Sequence, residues 1–121
     1  MDYIETEREL LDLSNRQIRL AEEYRKARVA FGRAKHNLQI YLVPKQKNPR
    51  YQRAALDRQI MMLISDMLTD EDEKGLAHVR LAQEEYIKAQ QEYKGLEKLL
   101  EAYTSRITVF QSLMRWQREN G

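Results

Sequence analysis

The fold is decided by residues 79–117, which read VRLAQEEYIKAQQEYKGLEKLLEAYTSRITVFQSLMRWQ. Apolar side chains recur there at alternating steps of three and four, namely Val79, Ala82, Tyr86, Ala89, Tyr93, Leu96, Leu100, Tyr103, Ile107, Phe110 and Met114. This spacing is the a/d pattern of a coiled-coil helix. Because no proline interrupts it, the pattern predicts one long helix over about residues 70–119.

A second seam of the same kind precedes it. Its members are Leu10, Leu13, Gln17, Leu20, Tyr24, Ala27, Phe31, Ala34, Leu38 and Tyr41, and only Gln17 is polar. The seam predicts a helix over about residues 3–42. A loop over 43–48 should follow, and the pair Asn48-Pro49 predicts the start of a shorter helix over about 49–68.

The composition agrees with an all-α fold. Four glycines and two prolines are too few for a β-sandwich or barrel, and the absence of cysteine excludes disulfides and thiolate zinc sites. We therefore expect a single elongated helical domain over residues 1–121. It would be a helical hairpin or three-helix arrangement, with two long heptad-patterned helices and a shorter middle helix.

The two long seams exceed what the middle helix can cover, which predicts a coiled-coil-like homo-oligomer, most simply a dimer. Whether the long helices pair within a chain or between chains stays open. The expected protein-interface residues are Leu10, Leu13, Tyr93, Leu100, Tyr103, Ile107, Phe110, Met114 and Trp116.

Two local features of the last helix also lead to expectations. Thr69 and Asp72 have the spacing of a capping box at its start. Gly75 and Gly95 each weaken a helix by about 1 kcal/mol relative to alanine, so their presence suggests a close approach of another helix.

Charge is distributed unevenly along the chain. Residues 24–56 contain nine bases and no acid, although the whole chain has a net charge of only +2. The nine are Arg25, Lys26, Arg28, Arg33, Lys35, Lys45, Lys47, Arg50 and Arg53. This block is typical of a surface that binds nucleic acid. It is also compatible with a solvated face, or with intramolecular pairing to acidic segments such as 57–73.

The chain lacks the residue patterns of catalysis. It has no phosphate-binding glycine loop and no serine or zinc hydrolase motif, and neither His36 nor His78 has a metal-binding partner at bundle spacing. The acidic run from Asp70 lacks the bidentate acid of a calcium loop, since Leu81 stands at that position. We expect no enzymatic activity, cofactor, metal or small-molecule substrate.

No apolar stretch is long enough to cross a membrane, and the charged start MDYIETEREL does not resemble a secretory signal. We expect a cytoplasmic protein without a membrane partner.

Two long segments resemble small helical coiled-coil proteins encoded in the early or recombination regions of temperate bacteriophages. The segments are AEEYRKARVAFGRAKHNLQ (21–39) and EEYIKAQQEYKGLEKLLEAYTSRITVFQSLMRW (84–116). The resemblance implies a role near phage DNA metabolism or host interference, in the host cytoplasm. It implies no particular functional residues.

Three functions remain after these exclusions. The first is an accessory protein of recombination or replication that binds nucleic acid through the basic residues. Tyr51 lies outside the seam and would therefore be freer than Tyr24 to contact the nucleic acid. The second is an adaptor, or an inhibitor of a host or defence protein, acting through exposed seams and Trp116. The third is a purely structural role, as a coiled-coil spacer.

Overall fold

The computed structural model describes residues 1–120 and shows an all-α protein, 89% helical, with four α-helices and no strand in that range. The helices are α1 (Tyr3–Ile40), α2 (Pro49–Gln52), α3 (Leu56–Thr69) and α4 (Glu73–Asn120), and a 3-10 turn (Val43–Lys45) follows α1. No helix among these residues is long and apolar enough to cross a membrane. The two long helices begin and end within about one turn of the predicted limits.

The prediction of one middle helix over 49–68 is wrong. Asn48 caps α2 as expected, with its Oδ1 accepting from the backbone N–H of Arg50 at 3.0 Å, but α2 ends at Gln52 and Ala55 is extended. The hydroxyl of Tyr51 donates to Asp66 at 2.5 Å. In a straight helix these residues would lie about 22 Å apart along the axis, at ~1.5 Å per residue. The chain therefore has to fold back between α2 and α3.

The turn between α3 and α4 is a Schellman motif. The backbone N–H of Asp72 donates to Met67 O at 3.0 Å and that of Glu71 donates to Leu68 O at 3.3 Å. Glu71 occupies the left-handed position, with φ of 57°. Asp72 then caps α4, since its Oδ1 accepts from the N–H of Gly75 at 3.0 Å.

The expected capping box between Thr69 and Asp72 is therefore wrong. The hydroxyl of Thr69 donates back to Ser65 O at 3.0 Å, inside α3. The expected close approach at the glycines is also wrong for Gly95, because a Cβ there would meet nothing within 4 Å among residues 1–120 outside the backbone of its own helix. At Gly75 the nearest group is the capping carboxylate of Asp72, which belongs to the same turn.

The chain divides into two compact units, and α1 and α4 contribute to both. The hairpin unit comprises residues 1–28 and the described residues from 92 onward. In it, Tyr24 donates to the Tyr93 hydroxyl at 3.1 Å, Gln17 to Thr104 at 2.9 Å and Gln117 to Met1 O at 3.0 Å. These pairs show that the two helices run antiparallel and cover each other's seams within one chain.

The core unit comprises residues 29–91 and holds the main hydrophobic cluster. Its buried members are Leu38, Leu42, Tyr51, Ile60, Leu63, Val79, Ala82 and Tyr86. Phe31 of α1 stacks on Tyr86 of α4 with ring centroids 5.4 Å apart, so the seam continues through this unit. Burial of each large aliphatic side chain contributes about 1.5–3 kcal/mol. The short helices are therefore held by this cluster rather than by their own helix propensity.

Candidate functional site

A cavity of about 430 Å³ opens in the core unit at the end of α1. Its walls come from α1, the 3-10 turn, α2 and the first turn of α3. They are formed by His36, Gln39, Ile40, Leu42, Val43, Lys45, Gln46, Tyr51, Gln52 and Gln59. The volume falls within the range of about 300–1,000 Å³ that is usual for ligand pockets.

Tyr51, Asp66 and Lys45 form a polar network beside the cavity. Tyr51 donates to Asp66, whose Oδ2 also lies 3.7 Å from the Lys45 ammonium; that ammonium is 5.8 Å from the centre of the Tyr51 ring. Burial, and then the hydrogen bond to Asp66, raise the pKa of Tyr51 to about 12. The hydrogen bond from Tyr51, and then the charges of Lys45 and Arg50, lower the pKa of Asp66. At neutral pH the phenol is therefore a donor and the carboxylate is ionised.

Two glutamine side chains of the cavity wall are fixed by backbone oxygens. Gln52 Nε2 donates to Gln46 O at 2.7 Å, and Gln59 Nε2 donates to Tyr51 O at 2.7 Å. A backbone carbonyl only accepts hydrogen bonds, so each amide must present its NH₂ group to it. The carbonyl oxygens of Gln52 and Gln59 accept no hydrogen bond from residues 1–120.

Five predicted nucleic-acid-binding residues lie close to wall residues along the chain. Arg33 and Lys35 precede the wall residues His36 and Gln39 by one turn of α1, and residues at this spacing are neighbours on a helix. The other three, Lys47, Arg50 and Arg53, each adjoin a wall residue along the chain. All five are exposed, and none makes an ion pair with any of residues 1–120.

The other four predicted bases are placed differently. Lys45 pairs with Asp66, and Arg25 pairs with Glu22 at 2.7 Å on its own helix. Lys26 and Arg28 are exposed in the hairpin unit, as is Arg25. Within residues 1–120, Lys45 is the only base of the block that forms a salt bridge with the acidic segment 57–73, and the charge of Arg50 also acts on Asp66. Intramolecular neutralisation accounts for little of the basic block.

The predicted protein-interface residues lie in the hairpin unit. Leu13 and Ile107 are buried there, whereas Trp116 is 61% exposed. The remaining six are half-buried, namely Leu10, Tyr93, Leu100, Tyr103, Phe110 and Met114. Most of the seam is therefore covered within the chain, and Trp116 is the member most available to a partner.

Sequence reasoning missed the cavity itself. Tyr51 was expected to be freer than the seam tyrosines but is buried, whereas His36 is exposed, as expected of a surface or boundary residue, and also lines the cavity. The four wall glutamines, Gln39, Gln46, Gln52 and Gln59, come from successive elements of the chain and do not lie on one helix face. The only usable signal was the pair of prolines, Pro44 and Pro49, which marks the turn that brings them together.

Metal-binding groups and comparisons with known proteins give no indication of the function. Within residues 1–120, no group of three or more histidine, aspartate or glutamate side chains is placed to hold a metal ion. The chain matches no protein-family model, no curated protein and no solved structure.

Proposed function

We propose that the protein is a non-enzymatic, nucleic-acid-binding accessory protein that contacts phosphates through the core unit. The single observation that carries this proposal is a group of five exposed basic residues that lie next to wall residues of one cavity along the chain and form no salt bridge within residues 1–120, namely Arg33, Lys35, Lys47, Arg50 and Arg53. Phosphate neutralisation by such residues supplies most of the affinity in sequence-independent binding.

The charge arrangement predicts a salt dependence. If all five bases contact phosphates of a single strand, the logarithm of the observed affinity should fall against the logarithm of salt concentration with a slope of about −3.5, at ~0.7 per contact. Additional contacts by Lys26 or Arg28 would steepen that slope.

A charge-matched pair of variants tests the location. Arg50→Glu with Arg53→Glu, and Arg8→Glu with Arg19→Glu, each change the net charge from +2 to −2. All four residues are exposed, but Arg8 and Arg19 lie in the acidic N-terminal part of α1. Fluorescence anisotropy with labelled oligonucleotides at about 50 mM salt should show at least tenfold weaker binding for the first variant and a much smaller loss for the second.

Two results would reject the proposal. One is the absence of binding at tens of micromolar wild-type protein. The other is an equal loss of affinity in both variants, which would mean that only the net charge matters.

The resemblance to phage-encoded helical proteins supports a role in phage DNA metabolism. We place the proposed binding in recombination or replication of phage DNA, within the host cytoplasm. Loss of recombinant or replicated phage DNA in cells that carry the Arg50→Glu, Arg53→Glu variant would be the corresponding observation in vivo.

A protein partner is the second candidate function, as an adaptor or as an inhibitor of a host or defence protein. It is supported by the exposure of Trp116 and by a stripe on α1, where Ile4, Leu11 and Ile18 recur every seven residues and are 66%, 62% and 68% exposed. The same stripe, rather than the covered seams, would support the coiled-coil-like homo-oligomer. Light scattering at micromolar concentration should then report a dimer or larger species, and a monomer mass would contradict the oligomer.

A further inference from the structure

We infer that the cavity at the end of α1 receives one unpaired nucleobase, so that the protein prefers single strands to duplexes. This inference rests on the proposed nucleic-acid-binding function and names its substrate class. Three features of the core unit support the inference. They are the polar groups of the cavity wall, the apolar residues of the wall, and the exposed lysines and arginines next to wall residues along the chain.

The polar groups of the wall match the edge of a base. Gln52 and Gln59 offer carbonyl oxygens, because their NH₂ groups are held by backbone oxygens. The Gln39 side chain makes no hydrogen bond to residues 1–120 and so offers both a donor and an acceptor. Base edges present both donors and acceptors, and carboxamides pair with them in this way.

The apolar residues of the wall match the face of a base. Ile40 and Val43 line the cavity and remain 52% and 54% exposed, while Leu42 is buried. A planar heterocycle placed against Ile40 and Val43 would remove their apolar surface from water, which is favourable. A free phosphate would leave that surface exposed, and so fits this wall less well.

The arginine and lysine side chains outside the cavity suit the phosphate backbone on either side of the bound nucleobase. Lys47 and Arg50 adjoin wall residues along the chain on the turn side, and Arg33 lies one helical turn before His36 on α1. A nucleotide whose base enters the cavity would leave its neighbouring phosphates near these charges. In a duplex the same base is paired and stacked, and it enters only after it is flipped out of the helix.

The experiment compares three labelled oligonucleotides of equal length by fluorescence anisotropy at one salt concentration. They are a single strand, the duplex of the same sequence, and a strand in which abasic sites replace the bases. The single strand should bind at least tenfold more tightly than the other two. The abasic strand retains phosphate charge, so equal affinity for it and the normal strand would overturn the inference.

A matched pair of variants tests the cavity. Gln39→Trp introduces a large side chain into it from an exposed position, whereas Asn37→Trp places the same side chain two residues earlier, beside His78 and Leu81. Gln39→Trp should lower single-strand affinity to the duplex level and leave duplex affinity unchanged. Asn37→Trp should change neither affinity.

The outcomes separate the two levels of the proposal. Equal single-strand and duplex affinities that Gln39→Trp does not alter would overturn the base-binding cavity and leave phosphate binding standing. No binding of any oligonucleotide would overturn both. If circular dichroism shows that Gln39→Trp has lost its helix content, Gln39→Ala replaces it, with an expected threefold or greater loss for the single strand alone.

Discussion

Replacement of Tyr51 by phenylalanine tests the polar network that fixes the bend between α2 and α3. The substitution removes one hydroxyl from a side chain that is only 2% exposed and deprives Asp66 of its 2.5 Å hydrogen bond. A hydrogen bond to a charged group contributes about 1.5–3 kcal/mol. Because the Asp66 side chain is 29% exposed, water can replace part of this interaction. We therefore expect a loss of about 1.5 kcal/mol at pH 7, at the lower end of that range.

The pH dependence of the same difference is a stricter test. The pKa of Tyr51 is raised from 10.0 to about 12, so its contribution to stability is complete below pH 10 and is lost as the pH rises towards 12. The loss is about 1.4 kcal/mol per pH unit in that window. Phenylalanine has no such titration. The wild type and Tyr51→Phe should therefore become about equally stable near pH 11.

At low pH the contribution of Asp66 to stability depends on pH in the opposite direction. The pKa of Asp66 is lowered in the folded protein, so this contribution is present above the ordinary aspartate pKa and is lost as the pH falls through the folded value. Tyr51→Phe removes the largest cause of that shift. The stability difference between the two proteins should thus also shrink below about pH 4.

Urea unfolding followed by far-ultraviolet circular dichroism measures both effects. Tyr41→Phe is the matched control, because Tyr41 is half-buried in the same unit and its hydroxyl makes no hydrogen bond to residues 1–120. Its free energy of unfolding should change by less than about 0.5 kcal/mol. The reasoning is refuted if Tyr51→Phe is as mild as this control at pH 7, or if its effect is the same at pH 7 and pH 11.

Two further predictions concern the backbone. Glu71→Gly should raise the free energy of unfolding by about 0.5–1 kcal/mol, because glycine adopts the left-handed φ of 57° without steric cost, while Glu71→Ala should be near neutral in the same urea titration; equal effects would contradict this account. Gly95→Ala should raise the free energy of unfolding by about 1 kcal/mol, since among residues 1–120 the added methyl group would meet nothing within 4 Å outside its own helix backbone. Gly75→Ala should gain less in the same assay because its methyl group would displace the capping carboxylate of Asp72, so a larger gain at Gly75 would contradict the assigned cap.

The sequence alone predicted the two long helices well. Their seams repeat every three and four residues over many turns, and this periodicity is a local property that does not depend on which partner covers the seam. It therefore predicted helices over 3–42 and 70–119, close to Tyr3–Ile40 and Glu73–Asn120. The same property left open whether the partner lies in the same chain, and the pairs Gln17–Thr104 and Tyr24–Tyr93 show that it does.

The charge block was equally visible from the sequence, because a count of acids and bases needs no structure. Such a count does not show which basic side chains form ion pairs with acidic ones. The ion pairs of Lys45 with Asp66 and Arg25 with Glu22 depend on distances of a few ångströms. Helical spacing made the second pair foreseeable, but the first joins residues on different elements.

Only the tertiary structure decided the break in the middle helix and the cavity beside it. Helix signals extend from Asn48 to Leu68, and no glycine or proline lies between Arg50 and Leu68 to mark a boundary. In the fold, Tyr51 is buried in the core and bonds to Asp66 while Ala55 is extended, and we infer that this burial and hydrogen bond offset the interruption of the helix. That competition involves groups 15 residues apart, which local propensity does not represent, and its outcome places the end of α1, the turn and Gln59 around one cavity.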